Sequence, residues 1–216
     1  MTRKIEKKLF IFDLDGTLAD AYRAIEKSLN FALEKFAYKP VAFSEVKKKV
    51  GGGDRLFIEE FFLPKDVEPA LAIYRRDHKE TLKAYSRCRP YAKMLLLRLR
   101  RRGKKIAIAS NRPFAYTDIV LKKTGIKKYI DDTLCADMVK RRKPHPEMLR
   151  LLLKRFRLKP KEAVYIGDMA IDLEAARRGR IDALFVSGGS GTKQEARKFK
   201  KVKIVSSLKE VLSIYA

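Results

Sequence analysis

The chain has 216 residues, 46% of them hydrophobic and 36% charged, which is enough apolar material for a packed core and excludes wholesale disorder. Lys and Arg number 51 against 26 Asp and Glu, a formal charge of +25. The longest unbroken apolar run, residues 70–74, is far short of the ~20 that span a bilayer.

Charged Asp13 arrives before any signal-peptide core can form, so a cytoplasmic protein with no membrane partner is expected. Cys88 and Cys135 supply neither a disulfide framework nor a zinc cluster. The charge is uneven: residues 18–88 hold 14 basic and 11 acidic side chains, residues 89–216 hold 33 and 12. Such a field favours anionic partners, phosphorylated metabolites or nucleic acid, without specifying chemistry. One Gln (Gln194) and two Asn (Asn30, Asn111) beside abundant charge resemble the composition of heat-adapted proteins.

Residues 8–12 predict a buried strand, rich in β-branched and aromatic side chains and stopped by a turn at Asp15-Gly16. Residues 18–87 carry no strand pattern, only helical segments over 20–38, 44–50, 54–62 and 67–86. Asp20 is placed to cap the first. Alternation then resumes. Helical spacing over 90–102, 114–124, 145–156 and 169–178 is interleaved with strand-like runs at 105–109, 163–166 and 183–186 and a weaker one at 203–205. This predicts an α/β fold: a doubly wound, mostly parallel, Rossmann-like sheet with an inserted α-helical cap domain. Residues 1–17 and 89–216 form the expected core and residues 18–88 the cap.

Ligands of open parallel sheets bind beyond the carboxyl ends of the strands. Asp13-Leu14-Asp15-Gly16-Thr17 follows the first predicted strand, Ser110-Asn111 the second, and Gly167-Asp168 the third, with Asp172 four residues on. Lys143 precedes a helix opened by Pro144-His145-Pro146. Two carboxylates at alternate positions project to one side. One can attack phosphorus while the other handles protons. The downstream aspartates add hard oxygen ligands suited to Mg²⁺. Ser110 can donate to a phosphoryl oxygen and Lys143 offers it a compact charge.

These four segments, in this order, resemble the motifs of the haloacid dehalogenase-like hydrolase superfamily, in its class with a helical cap and nearest its phosphoglycolate phosphatase-like branch. The resemblance implies a phosphatase that uses Mg²⁺ to hydrolyse a small phosphomonoester, a phosphoglycolate-like anionic metabolite, through an aspartyl-phosphate intermediate. It implies Asp13 as nucleophile and Asp15 as the acid that then becomes the base, since the dehalogenases of the superfamily lack that second carboxylate. It further implies Asp13, the Asp15 carbonyl and Asp168 as metal ligands. Asp172 would either support the metal's waters or orient Lys143. Ser110, Thr17 and Asn111 would cradle the phosphoryl group. By the same resemblance a cap loop faces the site, which nominates Gly52, Gly53 and Arg55, the last as partner of a substrate anion. The Gly51–Gly53 run also fits a plain loop between cap helices.

Other features read more simply. Residues 188–193, Gly-Gly-Ser-Gly-Thr-Lys, lack the spacing of a phosphate-binding P-loop. His145 suits a packing role at a helix start, and the basic run at 100–105 a solvated helix end. Two alternatives stay open: a phosphomutase of the same superfamily, and a basic nucleic-acid-binding protein. No motif favours the second.

Overall fold

The structure is a computed structural model and describes residues 6–215, so residues 1–5 of the expected core segment, and Ala216, lie outside the described residues. In chain order its elements are β1 (Leu9–Phe12), β2 (Ala19–Asp20), α1 (Tyr22–Lys35), α2 (Phe43–Lys49), α3 (Asp54–Glu59), α4 (Val67–Tyr85) and β3 (Arg87–Cys88). There follow α5 (Ala92–Arg101), β4 (Lys105–Ser110), α6 (Phe114–Lys123), β5 (Asp132–Cys135), α7 (Glu147–Phe156) and β6 (Ala163–Gly167). The chain closes with α8 (Ala170–Gly179), β7 (Asp182–Val186), α9 (Lys193–Arg197), β8 (Lys203–Val205) and α10 (Leu208–Tyr215).

Six strands form one parallel sheet in the order β5-β4-β1-β6-β7-β8. β1 lies between β4 and β6, and its four side chains are fully buried because both faces of the sheet are covered. The period of two along a strand divides them. Phe10 and Phe12 pack with Ile106, Ile108, Val164 and Ile166 under α5, α6 and α10. Leu9 and Ile11 pack with Ala107, Ala109 and Tyr165 under α7 and α8. Burial of each large apolar side chain stabilises by about 1.5–3 kcal/mol. The chain runs outward from β1 through β4 to β5, then returns to β6 on the other side. The carboxyl ends of β1 and β6 therefore flank the switch point where such sheets bind ligands.

The α/β expectation holds, including the helical cap. Helices α1 to α4 gather a separate apolar cluster containing Ile25, Leu29, Leu33, Val46, Ile58, Leu71 and Tyr74. Three details differ from the sequence reading. The segment expected to lack strands begins and ends in one: Ala19 pairs with Cys88 and Asp20 with Arg87 in an antiparallel ribbon where the chain enters and leaves the cap. Helix α1 starts at Tyr22, so Asp20 is not its cap residue, although its Oδ1 still accepts the Tyr22 N–H at 3.1 Å. Edge strand β5 and helix α10 had no counterpart among the predicted elements. Among the described residues no helix is long and apolar enough to cross a membrane.

Candidate active site

Asp13 is the first residue beyond β1, and its N–H donates to the Ile166 carbonyl at 2.9 Å, continuing the ladder to β6. The chain then turns back tightly, with Thr17, Leu18 and Ala19 N–H groups all directed at the Leu14 carbonyl. Gly16 makes the turn possible. Its φ is +80°, and a Cβ there would overlap the Tyr22 hydroxyl and the Asp168 carboxylate.

Lys143 lies at the centre of the site. Its Nζ donates to Asp13 Oδ1 and Asp172 Oδ1, each at 2.7 Å, and contacts the Tyr165 hydroxyl at 2.9 Å. Burial alone would depress its pKa, but the two carboxylates outweigh that and hold it raised. The amide of Asn111 fixes the loop that carries it: Oδ1 accepts the Lys143 N–H at 3.0 Å while Nδ2 donates to the Lys143 carbonyl.

Asp168, first beyond β6, accepts the Thr17 hydroxyl on Oδ1 at 2.9 Å and the Ser190 N–H on Oδ2 at 2.8 Å. Carboxylate oxygens of Asp13, Asp168 and Asp172 all lie within 4.8 Å of one another, and all three residues are buried. Burial, with the neighbouring carboxylates adding to it, pushes the Asp13 carboxyl well above its usual range and Asp168 up to about 7. Three crowded carboxylates against one lysine form a hard-oxygen set that fits a divalent cation.

Asp15 lines the same site. Its Oδ2 accepts from Arg112 Nε at 2.7 Å, while Oδ1 is buried with no hydrogen-bond partner among the described residues. Ser110 ends β4 with its Oγ accepting the Arg112 N–H at 3.2 Å. These groups line one cavity of about 70 Å³. A single water occupies roughly 10–15 Å³ on such a scale, so the space holds about five to seven. The rest of its lining is largely apolar and aromatic, with Ile25, Val50, Phe57, Tyr74, Tyr116 and Ile171.

The cap is closed over this edge. Asn111 Nδ2 donates to the Gly51 carbonyl at 2.9 Å, Lys47 Nζ to the Gly188 carbonyl at 3.3 Å, and Ser190 Oγ to the Tyr22 hydroxyl at 2.8 Å.

Asp13, Asp15, Ser110, Lys143, Asp168 and Asp172 are thus brought together from four separate stretches of chain. Thr17 and Asn111 are close by but occupied: the Thr17 hydroxyl serves Asp168, and the Asn111 amide serves Lys143 and Gly51. Gly53 lines the cavity; Gly52 and Arg55 do not. Arg55 is 51% exposed and paired with Glu59 and Glu68, because α3 turns that side chain toward the cap's own surface.

Several cavity residues lay outside the expected set, among them the polar Arg112, His78 and Tyr22. Arg112 directly follows Ser110-Asn111, so it shares the strand-end position that singled those residues out. His78 falls in the buried stripe Leu71, Tyr74, His78, Leu82 of α4, where a lone polar residue is itself a signal.

Residues 10–186 match the haloacid dehalogenase-like hydrolase family. The chain is 29% identical over 204 residues to a protein of Psychrobacter arcticus named phosphoglycolate phosphatase, covering 89% of each. It is 28% identical to one of the same name from Aquifex aeolicus, covering 79% of this chain and 80% of that one. The crystal structure of a predicted phosphoglycolate phosphatase from Haemophilus somnus has the same fold, with a TM-score of 0.91 at 23% identity and 97% and 98% of the two chains covered. With a strand-end aspartate at the switch point, a helical cap and a match across most of its length, this chain belongs to the haloacid dehalogenase-like hydrolase family.

Proposed function

We propose that this phosphatase uses Mg²⁺ to hydrolyse a small phosphomonoester of the phosphoglycolate type, through a phosphoryl group carried transiently on Asp13. That it is a phosphatase of its family, a hydrolase of phosphoric monoesters, follows from the family match and the relatives. The observation that carries the fuller reading is the convergence of Asp13, Asp15 and Lys143 on one small cavity beside the Asp13–Asp168–Asp172 cluster.

In this reading a carboxylate oxygen of Asp13 attacks phosphorus while the ester P–O bond breaks. Asp15 gives its proton to the departing oxygen. Asp15 then takes a proton from water, whose oxygen attacks phosphorus and breaks the bond to Asp13, releasing inorganic phosphate. Lys143 keeps Asp13 oriented and balances charge near the phosphoryl group, and the Ser110 hydroxyl is within the same cavity to bind it. Asp13 and Asp168, with Asp172 beside them, would hold Mg²⁺, which when bound offsets the negative charge gathered there. Residues 18–88 serve as the cap and residues 1–17 with 89–216 as the catalytic core, joined through the β2–β3 ribbon. The cavity's small size supports a compact substrate over a nucleotide or polymer.

A panel of phosphorylated metabolites, assayed with Mg²⁺ and with EDTA, tests this directly. Phosphate release that requires the cation and disappears in Asp13→Asn is the expected result. Release that survives either change contradicts it.

A further inference from the structure

The cavity contains one cation with donors to spare. Lys143 is committed to Asp13, Asp172 and Tyr165. Arg112 donates through Nε to Asp15 and through Nη1 to His78 Nε2 at 2.8 Å. A guanidinium carries five N–H bonds and accepts none. Three of those of Arg112 therefore have no acceptor among the described residues, on a side chain only 7% exposed. Donors left without a protein acceptor at the wall of a confined cavity gain from a ligand that brings its own acceptors. The planar fork of a guanidinium matches a carboxylate at two points. Asp54, also on the cavity wall, is already held by Arg75 through both oxygens, at 2.7 and 3.2 Å.

The cap determines where Arg112 points. Because arginine only donates, His78 Nε2 must accept, which leaves the imidazole neutral with its proton on Nδ1. That nitrogen lies 3.0 Å from Ser28 Oγ, which in turn lies 2.6 Å from Thr81 Oγ1. The ring stacks on Tyr74 at 4.7 Å and meets the Tyr116 ring edge-on at 5.4 Å. His78 is almost completely buried, so its orientation is locked by α1, α4 and α6.

We propose that Arg112, aimed by the cap residue His78, selects substrates whose leaving alcohol carries a carboxylate. This rests on the phosphatase reading and assigns its substrate selectivity to an arginine of the core rather than to Arg55 of the cap. Arg112 is the binding residue; His78 is a positioning residue that acts through it.

The test compares 2-phosphoglycolate with p-nitrophenyl phosphate, whose leaving group has no carboxylate, in the Mg²⁺-loaded full chain. Wild type is expected to favour phosphoglycolate. In Arg112→Gln the ratio of the two kcat/KM values is expected to fall at least about 10-fold, mostly through the KM for phosphoglycolate. His78→Leu should move the ratio the same way, and His78→Gln, which restores an acceptor, should recover it. Circular dichroism of Arg112→Gln and His78→Leu separates misfolding from lost selection.

A wild-type enzyme with no preference, or an Arg112→Gln ratio within about twofold of wild type, overturns the inference and leaves the phosphatase reading standing. Wild type inert toward every phosphomonoester overturns that reading instead. Calorimetry then still decides selectivity: Arg112→Gln should weaken phosphonoacetate binding much more than methylphosphonate binding, and equal weakening counts against Arg112.

Discussion

Lys143 donates to Asp172 Oδ1 at 2.7 Å across 29 residues of sequence, with the two side chains 2% and 1% exposed. Removing one partner of a buried pair strands the charge of the other. Asp172→Asn is therefore expected to lower the unfolding free energy by about 3 kcal/mol, read from urea denaturation. Because Lys143 also orients Asp13, kcat should fall at least about 10-fold. A variant as stable and as active as wild type would mean the pair has no structural or catalytic weight.

The acidic cluster should couple metal binding to both stability and pH. At about 100 times its Kd, Mg²⁺ is expected to raise Tm by about 5 °C or more, and EDTA to reverse the gain. Asp168→Asn should abolish most of that shift. Without metal, Asp168 holds a proton up to about pH 7, whereas an unfolded aspartate loses it near pH 4. The native state thus binds more protons across that window, so metal-free stability should fall as pH rises from about 4 to 7, by up to ~1.4 kcal/mol per unit from this group. Saturating Mg²⁺ should remove this slope. Calorimetric unfolding at several pH values, with and without Mg²⁺, checks the sign.

His78 should contribute a slope of the opposite sign. Burial first, then the adjacent Arg112 charge, holds its pKa well below the ordinary value, so the native state refuses a proton that the unfolded chain accepts below about pH 6.5. Stability tied to His78 is complete above that pH and is lost as pH falls beneath it. The difference between wild type and His78→Gln isolates this group: any advantage of wild type should shrink between pH 6.5 and 5. A difference independent of pH would contradict a buried neutral imidazole.

Arg55 provides a contrast. Its partners Glu59 and Glu68 are themselves on the surface, where ion pairs contribute little. Arg55→Ala should leave the KM for any substrate within about twofold of wild type. A large, substrate-dependent rise in KM would return Arg55 to the binding site.

The comparison of Arg55 with Arg112 also marks where reading the sequence stops. Asp13, Asp15, Ser110 and Asp168 were legible because each follows a short apolar strand, and parallel sheets present such positions on one edge. Lys143 was legible from its motif, not from any strand. β5 escaped notice because its Asp132 and Thr133 are only partly buried on an edge strand of four residues, too short for a clear pattern. The β2–β3 ribbon has two residues per strand, and its pairing depends on the whole cap folding between them. The aim of Arg55 depends on Glu59 one turn on and on Glu68 in the next helix, α4. The His78–Arg112–Asp15 chain joins residues 34 and 97 positions apart, and spacing within one element cannot reveal it.

The most direct measurement is rapid acid quench of the Asp15→Asn variant after mixing with Mg²⁺ and p-nitrophenyl phosphate, followed by peptide mapping. An aryl leaving group needs little help from an acid, but release of phosphate from the enzyme still needs the base. The account predicts a burst of about one nitrophenolate per enzyme, then a stall with a phosphoryl group on the Asp13 peptide. Steady turnover without a burst, or a phosphoryl group on any other residue, would contradict it.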